Sequence, residues 1–255
     1  MDKAIIIDQI KVFYQENGTG EKYMLLLHGW GQSHAFWEDV INRFEKEYHI
    51  YTLDLPGFGQ SYEPPKMWKI EDYANFVHAF AIKLNIQNPI IIGHSFGGRI
   101  AAFYASKYPV DKLILYSNGG LPPQSLQKKL SRHVFRQLSR IGKHLFPNQL
   151  YKLHTVLFRP KQYRNELQIT KQKSQRMLDI YIQGPQDLTD QIKKITTDTL
   201  IISGRKDHLG EPSMGKRLHR LIKNSQLLEI PEATHFAHLE RPNEFYEAVE
   251  KFLKR

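Results

Sequence analysis

No cysteine occurs in the 255 residues, which excludes disulfide bridges, cysteine-ligated zinc and a cysteine nucleophile. Long apolar runs are missing too: no uninterrupted stretch approaches the roughly 20 residues that a membrane-spanning helix needs. The opening residues, Met1-Asp2-Lys3-Ala4-Ile5-Ile6-Ile7-Asp8, lack the longer apolar region and small-residue cleavage site of a secretory signal. A soluble, cytoplasmic chain is the expectation. Internal repeats and low-complexity tracts are absent, and no recognised nucleic-acid module is present, so nucleic acid is not an expected partner.

Acidic residues are outnumbered, 26 against 36 lysines and arginines, giving a formal charge of +10. The imbalance is local. Between Leu121 and Ile195 fifteen basic residues face four acidic ones, so this segment carries +11 and the remainder −1. One reading is a solvated helical surface. The other is a field that draws in anionic substrates or, weakly, an anionic membrane surface.

What is there fits one sizeable domain with a full core. Ala4 to Tyr14 mixes β-branched and aromatic residues and leads to a turn signal at Glu16-Asn17-Gly18-Thr19-Gly20, which predicts an edge hairpin. Lys22–Leu27, Tyr48–Leu53, Lys112–Tyr116, Thr199–Ser203 and Gln226–Ile230 read as short strands. Helical spacing appears in Phe36, Val40, Ile41 and Phe44 after a capping candidate, Ser33, and again over Ile70–Leu84 and Glu244–Leu253. Strands alternating with helices predict a mostly parallel sheet covered on both faces. About eighty residues separate the strands near Leu115 and Leu200, where one crossover helix would suffice. The apolar stripes Val134-Leu138-Ile141-Leu145, Leu150-Leu153-Leu157-Phe158 and Met177-Leu178-Tyr181 predict an insertion of several helices there. The expected division is a core of residues 1–120 and 196–255 with a helical lid at 121–195.

The chemistry centres on Pro89 to Ala102. An apolar run, Ile90-Ile91-Ile92, enters Gly93-His94-Ser95-Phe96-Gly97-Gly98, and helical spacing follows at once. A Gly-x-Ser-x-Gly pattern between strand and helix predicts a sharp turn that presents the Ser95 hydroxyl away from the sheet. The glycines are needed because a Cβ would meet the neighbouring strand or helix. The helix N-terminus favours negative charge beside the serine. Three further strand ends supply partners. His28-Gly29-Trp30-Gly31 offers backbone amides, and with the residue after the serine it makes the N–H groups of Trp30 and Phe96 the expected oxyanion donors. His28 has the residue type of a general base, but its place inside the turn favours a structural role. Gly204-Arg205-Lys206-Asp207-His208 puts Asp207 where a carboxylate can orient an imidazole; Asp190, Asp198 and Glu211 lie less favourably and Asn118 offers no carboxylate. His235, in Thr234-His235-Phe236-Ala237-His238, is the expected base, with His238 its near rival.

Together, HGWG at 28–31, DLPGFGQS at 54–61, GHSFGG at 93–98, GRKDH at 204–208 and THFAHLERP at 234–242 resemble the α/β-hydrolase superfamily over essentially the whole chain. The order Ser95, Asp207, His235 matches that fold's triad order. The resemblance implies the α/β-hydrolase fold, a structural turn at Asp54–Ser61, and no metal or organic cofactor. HGWG, the LPGFG turn and a lid are similar to small-acyl carboxylesterases, including pimeloyl-ester esterases. Ser95-Phe96-Gly97-Gly98-Arg99 is similar instead to SHCHC synthases, which carry an arginine at the matching place. Arg99 can meet a substrate anion or pair with a local carboxylate. His94, Arg99 and Phe236 are the substrate-binding candidates, with Trp30 and Phe96 on the pocket wall. The expected function is serine hydrolysis of a small carboxylic ester or thioester through an acyl-enzyme. A C–C hydrolase or SHCHC-synthase-like lyase using the same side chains, and a non-catalytic ligand sensor on this fold, are the alternatives.

Overall fold

The computed structural model describes residues 2–122, 177, 180, 186–207 and 213–255. Eight strands form one sheet in the order β1-β2-β4-β3-β5-β6-β7-β8. They are β1 (Lys3–Ile7), β2 (Ile10–Asn17), β3 (Lys22–Leu27), β4 (Tyr48–Leu53), β5 (Ile90–His94), β6 (Leu113–Tyr116), β7 (Thr199–Gly204) and β8 (Ser225–Ile230). Only the pairs made by β2 are antiparallel; β4, β3, β5, β6, β7 and β8 run parallel. This is the α/β-hydrolase architecture expected from the sequence.

Side-chain alternation divides the sheet between two cores. Leu25 and Leu27 of β3, Ile91 of β5 and Leu113 and Leu115 of β6 join one apolar cluster. Met24, Leu26, Ile90, Ile92, Ile114 and Tyr116 join the other. Strands apolar on both faces belong at the centre of a doubly covered parallel sheet. The first face is covered by α2 (Ile70–Lys83) and α3 (Phe96–Ala105), through Tyr73, Phe76, Val77, Phe80, Ile100 and Phe103. The second is covered by α1 (Glu38–Phe44) and a C-terminal helix, Pro242–Leu253, through Phe44, Phe245 and Val249. Each such side chain withdrawn from water contributes about 1.5–3 kcal/mol.

Two local expectations are corrected. The edge hairpin turns at Asp8-Gln9, both at positive φ (47° and 66°), and not at Glu16–Gly20, which instead leads from β2 to β3. Neither residue is a glycine, so the turn signal was weak. Ser33 makes no capping hydrogen bond; a single 3₁₀ turn, His34–Trp37, leads into α1.

Between β6 and β7, the described part of the predicted lid comprises residues 121–122, 177, 180 and 186–195. It includes a short helix, α4 (Thr189–Ile192). The three apolar stripes, apart from Met177, lie outside the described residues, as do His208, Glu211 and every basic residue of the 121–195 segment except Lys193 and Lys194. Among the described residues, the helices that follow are α5 (Met214–Leu221), α6 (Ala237–Glu240) and α7 (Pro242–Leu253). Among the described residues, no helix is long and apolar enough to cross a membrane.

Candidate active site

At the C-terminal ends of the parallel strands, where open α/β sheets place their ligands, lie the loops that carry Trp30, Ser95, Asp207 and His235. Ser95 sits between β5 and α3 with φ 51° and ψ −105°, a backbone conformation that costs a non-glycine residue about 1–3 kcal/mol. The surroundings hold it there. The Ser95 amide donates to the Tyr116 carbonyl at 2.9 Å, and the Arg99 amide donates to the Ser95 carbonyl at 3.2 Å, opening the helix. A Cβ on Gly97 would lie 2.2 Å from the Leu27 carbonyl oxygen, and one on Gly93 would lie 2.6 Å from the Gly97 carbonyl oxygen. Only glycine lets helix and strand approach so closely. Ser95 itself is half-buried, at the positive end of the α3 dipole.

The loops that carry Asp207 and His235, the expected acid and base, are joined to one another. After β7, the Arg205 amide donates to the Ile230 carbonyl at 3.0 Å and the Lys206 amide to the Ala233 carbonyl at 2.9 Å. A Cβ on Gly204 would collide with the Thr234 carbonyl oxygen at 2.1 Å. This zipper carries Asp207 to His235: the imidazole Nδ1–H donates to Asp207 Oδ2 at 2.8 Å, and both residues are buried. The partner choice fixes the tautomer, leaving Nε2 to accept a proton.

Trp30 and Phe96, the expected oxyanion donors, stand side by side with their rings edge to face at 5.2 Å. Phe58 closes the group at 4.9 Å from Trp30 and 5.7 Å from Phe96. Tyr73 extends it at 5.1 Å from Phe96. Phe58 and Tyr73 are fully buried, so this aromatic wall backs the serine turn from within the core.

A family model for the alpha/beta hydrolase family matches residues 24–248, a span that includes every residue just described. The chain belongs to the alpha/beta hydrolase family. It is similar to the pimeloyl-acyl-carrier-protein methyl ester esterase of Pectobacterium carotovorum, at 28% identity over 94% of this chain and 98% of that protein. It is also similar to the bifunctional esterase/perhydrolase DCH of Acinetobacter calcoaceticus, at 27% identity over 89% and 90%. The solved esterase EaEST from Exiguobacterium antarcticum shares the fold over the full length of both chains, with TM-score 0.83 at 23% identity. Hydrolase chemistry follows at the level of the family.

The remaining polar residues of this alpha/beta hydrolase divide into supports and wall. His28 is fully buried; its Nε2 accepts the Leu55 amide at 3.0 Å and its Nδ1–H donates to the Gly29 carbonyl at 2.8 Å. Nε2 thus holds the HGWG turn to the Asp54–Ser61 turn, while Nδ1 braces the HGWG turn itself. Asp54 is buried beside it. Its Oδ1 accepts the His34 amide at 2.7 Å and faces His34 Nδ1 at 2.9 Å, and its Oδ2 accepts the Gln60 amide at 2.7 Å. Burial alone would push the Asp54 pKa up; the hydrogen bond and charge of His34, with the Gln60 amide, outweigh it and hold the pKa down.

His238 is buried as well, with Nδ1 3.1 Å from the Tyr116 hydroxyl, and burial lowers its pKa to about 3. It braces strand β6, whereas His235 faces the carboxylate. Arg99 is half-buried with its guanidinium 5.4 Å from the Phe96 ring centre, and Phe236 is half-buried 5.3 Å from the His235 ring. His94 requires a correction. Only 1% of it is exposed, and its two ring nitrogens face Gln32 Oε1 at 3.1 Å and the His235 carbonyl at 3.0 Å. It lies beneath the site rather than on a substrate-facing wall, and sequence reasoning missed Gln32 altogether.

Proposed function

We propose that the protein is a serine hydrolase that cleaves a small carboxylic ester or thioester through an acyl-enzyme on Ser95. The observation that carries this reading is the buried 2.8 Å contact between His235 Nδ1 and Asp207 Oδ2, on loops beside a serine held at positive φ. In the first half-reaction His235 Nε2 takes the Ser95 proton as Oγ attacks the acyl carbon. The imidazolium, steadied by Asp207, then protonates the leaving alcohol or thiol. In the second half-reaction His235 deprotonates water as it attacks the acyl carbon, and the imidazolium then returns that proton to Ser95 Oγ as the acyl–oxygen bond breaks and the carboxylic acid departs. The amides of Trp30 and Phe96 hold the oxyanion of each tetrahedral intermediate, assisted by the α3 dipole. No cofactor enters this scheme.

Trp30, the half-buried member of the aromatic group, supports an apolar acyl group, and Arg99 and Phe236 border the same site. Residues 121–195 would serve as the lid that completes the pocket, since the connection from β6 to β7 leaves β6 at the sheet end that bears Ser95 and Asp207. The similarity to two esterases supports an ester as the substrate. Substituting Ser95→Ala tests the scheme: turnover of a short p-nitrophenyl ester should disappear while the thermal unfolding transition is kept. Turnover at the wild-type rate in that variant would refute the nucleophile.

A further inference from the structure

His94 is the residue that the hydrolytic scheme leaves unused, although it is bonded directly to Ser95. Its ring is stacked on Phe36 at 4.7 Å and lies 4.8 Å from the His235 ring. Two acceptors flank it: Gln32 Oε1 at Nδ1 and the His235 carbonyl at Nε2. A neutral imidazole carries one ring proton and can satisfy only one of them. An imidazolium could satisfy both, but burial pushes the His94 pKa well below its ordinary value, and charge on His235 or His238 would push it the same way. Gln32 Oε1 already accepts the Gly29 amide at 2.7 Å. The proton therefore belongs on Nε2, where it gives the His235 carbonyl a donor.

We propose that His94 is a positioning residue: its Nε2–H, donated to the His235 carbonyl, ties the backbone of the base to the residue preceding the nucleophile. β5 is hydrogen-bonded to β3 on one side and β6 on the other, so this tie refers the base loop to the stiffest part of the sheet. Through Gln32 and Gly29 the same ring also adjoins the turn that carries Trp30. Three loops from distant parts of the chain thus meet at one buried imidazole. The inference rests on the acyl-enzyme reading, since it assigns His94 a task in aligning His235.

The test exploits side-chain geometry. The amide nitrogen of glutamine can stand where Nε2 stands, whereas that of asparagine reproduces Nδ1. His94→Gln should keep kcat for the p-nitrophenyl ester within about threefold, while His94→Asn and His94→Phe lose about 10–100-fold in kcat with KM nearly unchanged, as expected for a misaligned base. Equal losses in the glutamine and asparagine variants, or a loss confined to KM, would overturn the proposal. A second measurement needs neither turnover nor a folded variant. Nitrogen NMR of the wild-type protein should show His94 neutral and protonated at Nε2; a proton at Nδ1, or a charged ring, overturns the proposal. If Ser95→Ala retained turnover, the acyl-enzyme scheme would fail while the NMR result still judged the tie.

Discussion

His235 donates from Nδ1 to Asp207 across 2.8 Å, and the two residues are 7% and 4% exposed. Little water competes for the carboxylate, so its orienting effect on the imidazole is undiluted. Asp207→Asn keeps the shape but offers an amide that can favour the wrong tautomer. It should lower kcat by about 10³–10⁴-fold with the fold intact, measured as ester turnover beside the circular-dichroism spectrum. A loss under tenfold would move the acid elsewhere.

His235 and His238 are three residues apart and should respond oppositely. His235→Asn should remove at least about 10³-fold of kcat with little change in stability. His238→Phe leaves the Tyr116 hydroxyl without its imidazole partner and should destabilise by about 1–3 kcal/mol while keeping most of kcat. Urea unfolding and turnover on the same two samples separate the roles. Interchanged phenotypes would exchange the assignments.

Gly97 has no space for a methyl group, since Leu27 and His28 carbonyl oxygens would stand 2.2 and 2.6 Å from it. Gly97→Ala must push α3 away from β3, with an expected cost of about 1–3 kcal/mol and a fall in melting temperature of several degrees. Because α3 begins at the serine, kcat should fall as well. Unchanged melting would show that the helix can shift freely.

The acid limb of stability should carry a signature of Asp54. Its folded pKa lies below the ordinary carboxylate value, so the stabilisation is present above the unfolded pKa, near 3.8. It is lost as pH falls through the folded value. Urea midpoints of the wild type should therefore drop below about pH 4, and Asp54→Asn should be less stable at neutral pH with a shallower acid limb. Parallel wild-type and variant profiles would dismiss this carboxylate as a contributor.

Much of this was written into the chain. Strands such as Lys22–Leu27 and Tyr48–Leu53 were legible because short apolar runs ended at turn motifs, and those ends carry the candidate chemistry. Ser95, Asp207 and His235 could be singled out because each lies in the loop that follows a strand: β5, β7 and β8. The hairpin turn was misplaced because Asp8 and Gln9 adopt positive φ without the usual glycine. The place of His94 could not be read, because its partners Gln32 and His235 are 62 and 141 residues away in sequence. Only folding reveals a contact of that kind. Phe58 joined the aromatic wall for a similar reason: its turn lies on a different strand end from Trp30 and Phe96.

The backbone bonds that join Arg205 and Lys206 to Ile230 and Ala233 have a mechanical consequence. Carboxylate and imidazole ride on one stapled unit at the margin of the sheet, and the His94–His235 contact fastens that unit to β5 across β6. If Ser95, Asp207 and His235 act together as proposed, cutting that single fastening would leave the preassembled pair whole while loosening its alignment with the serine.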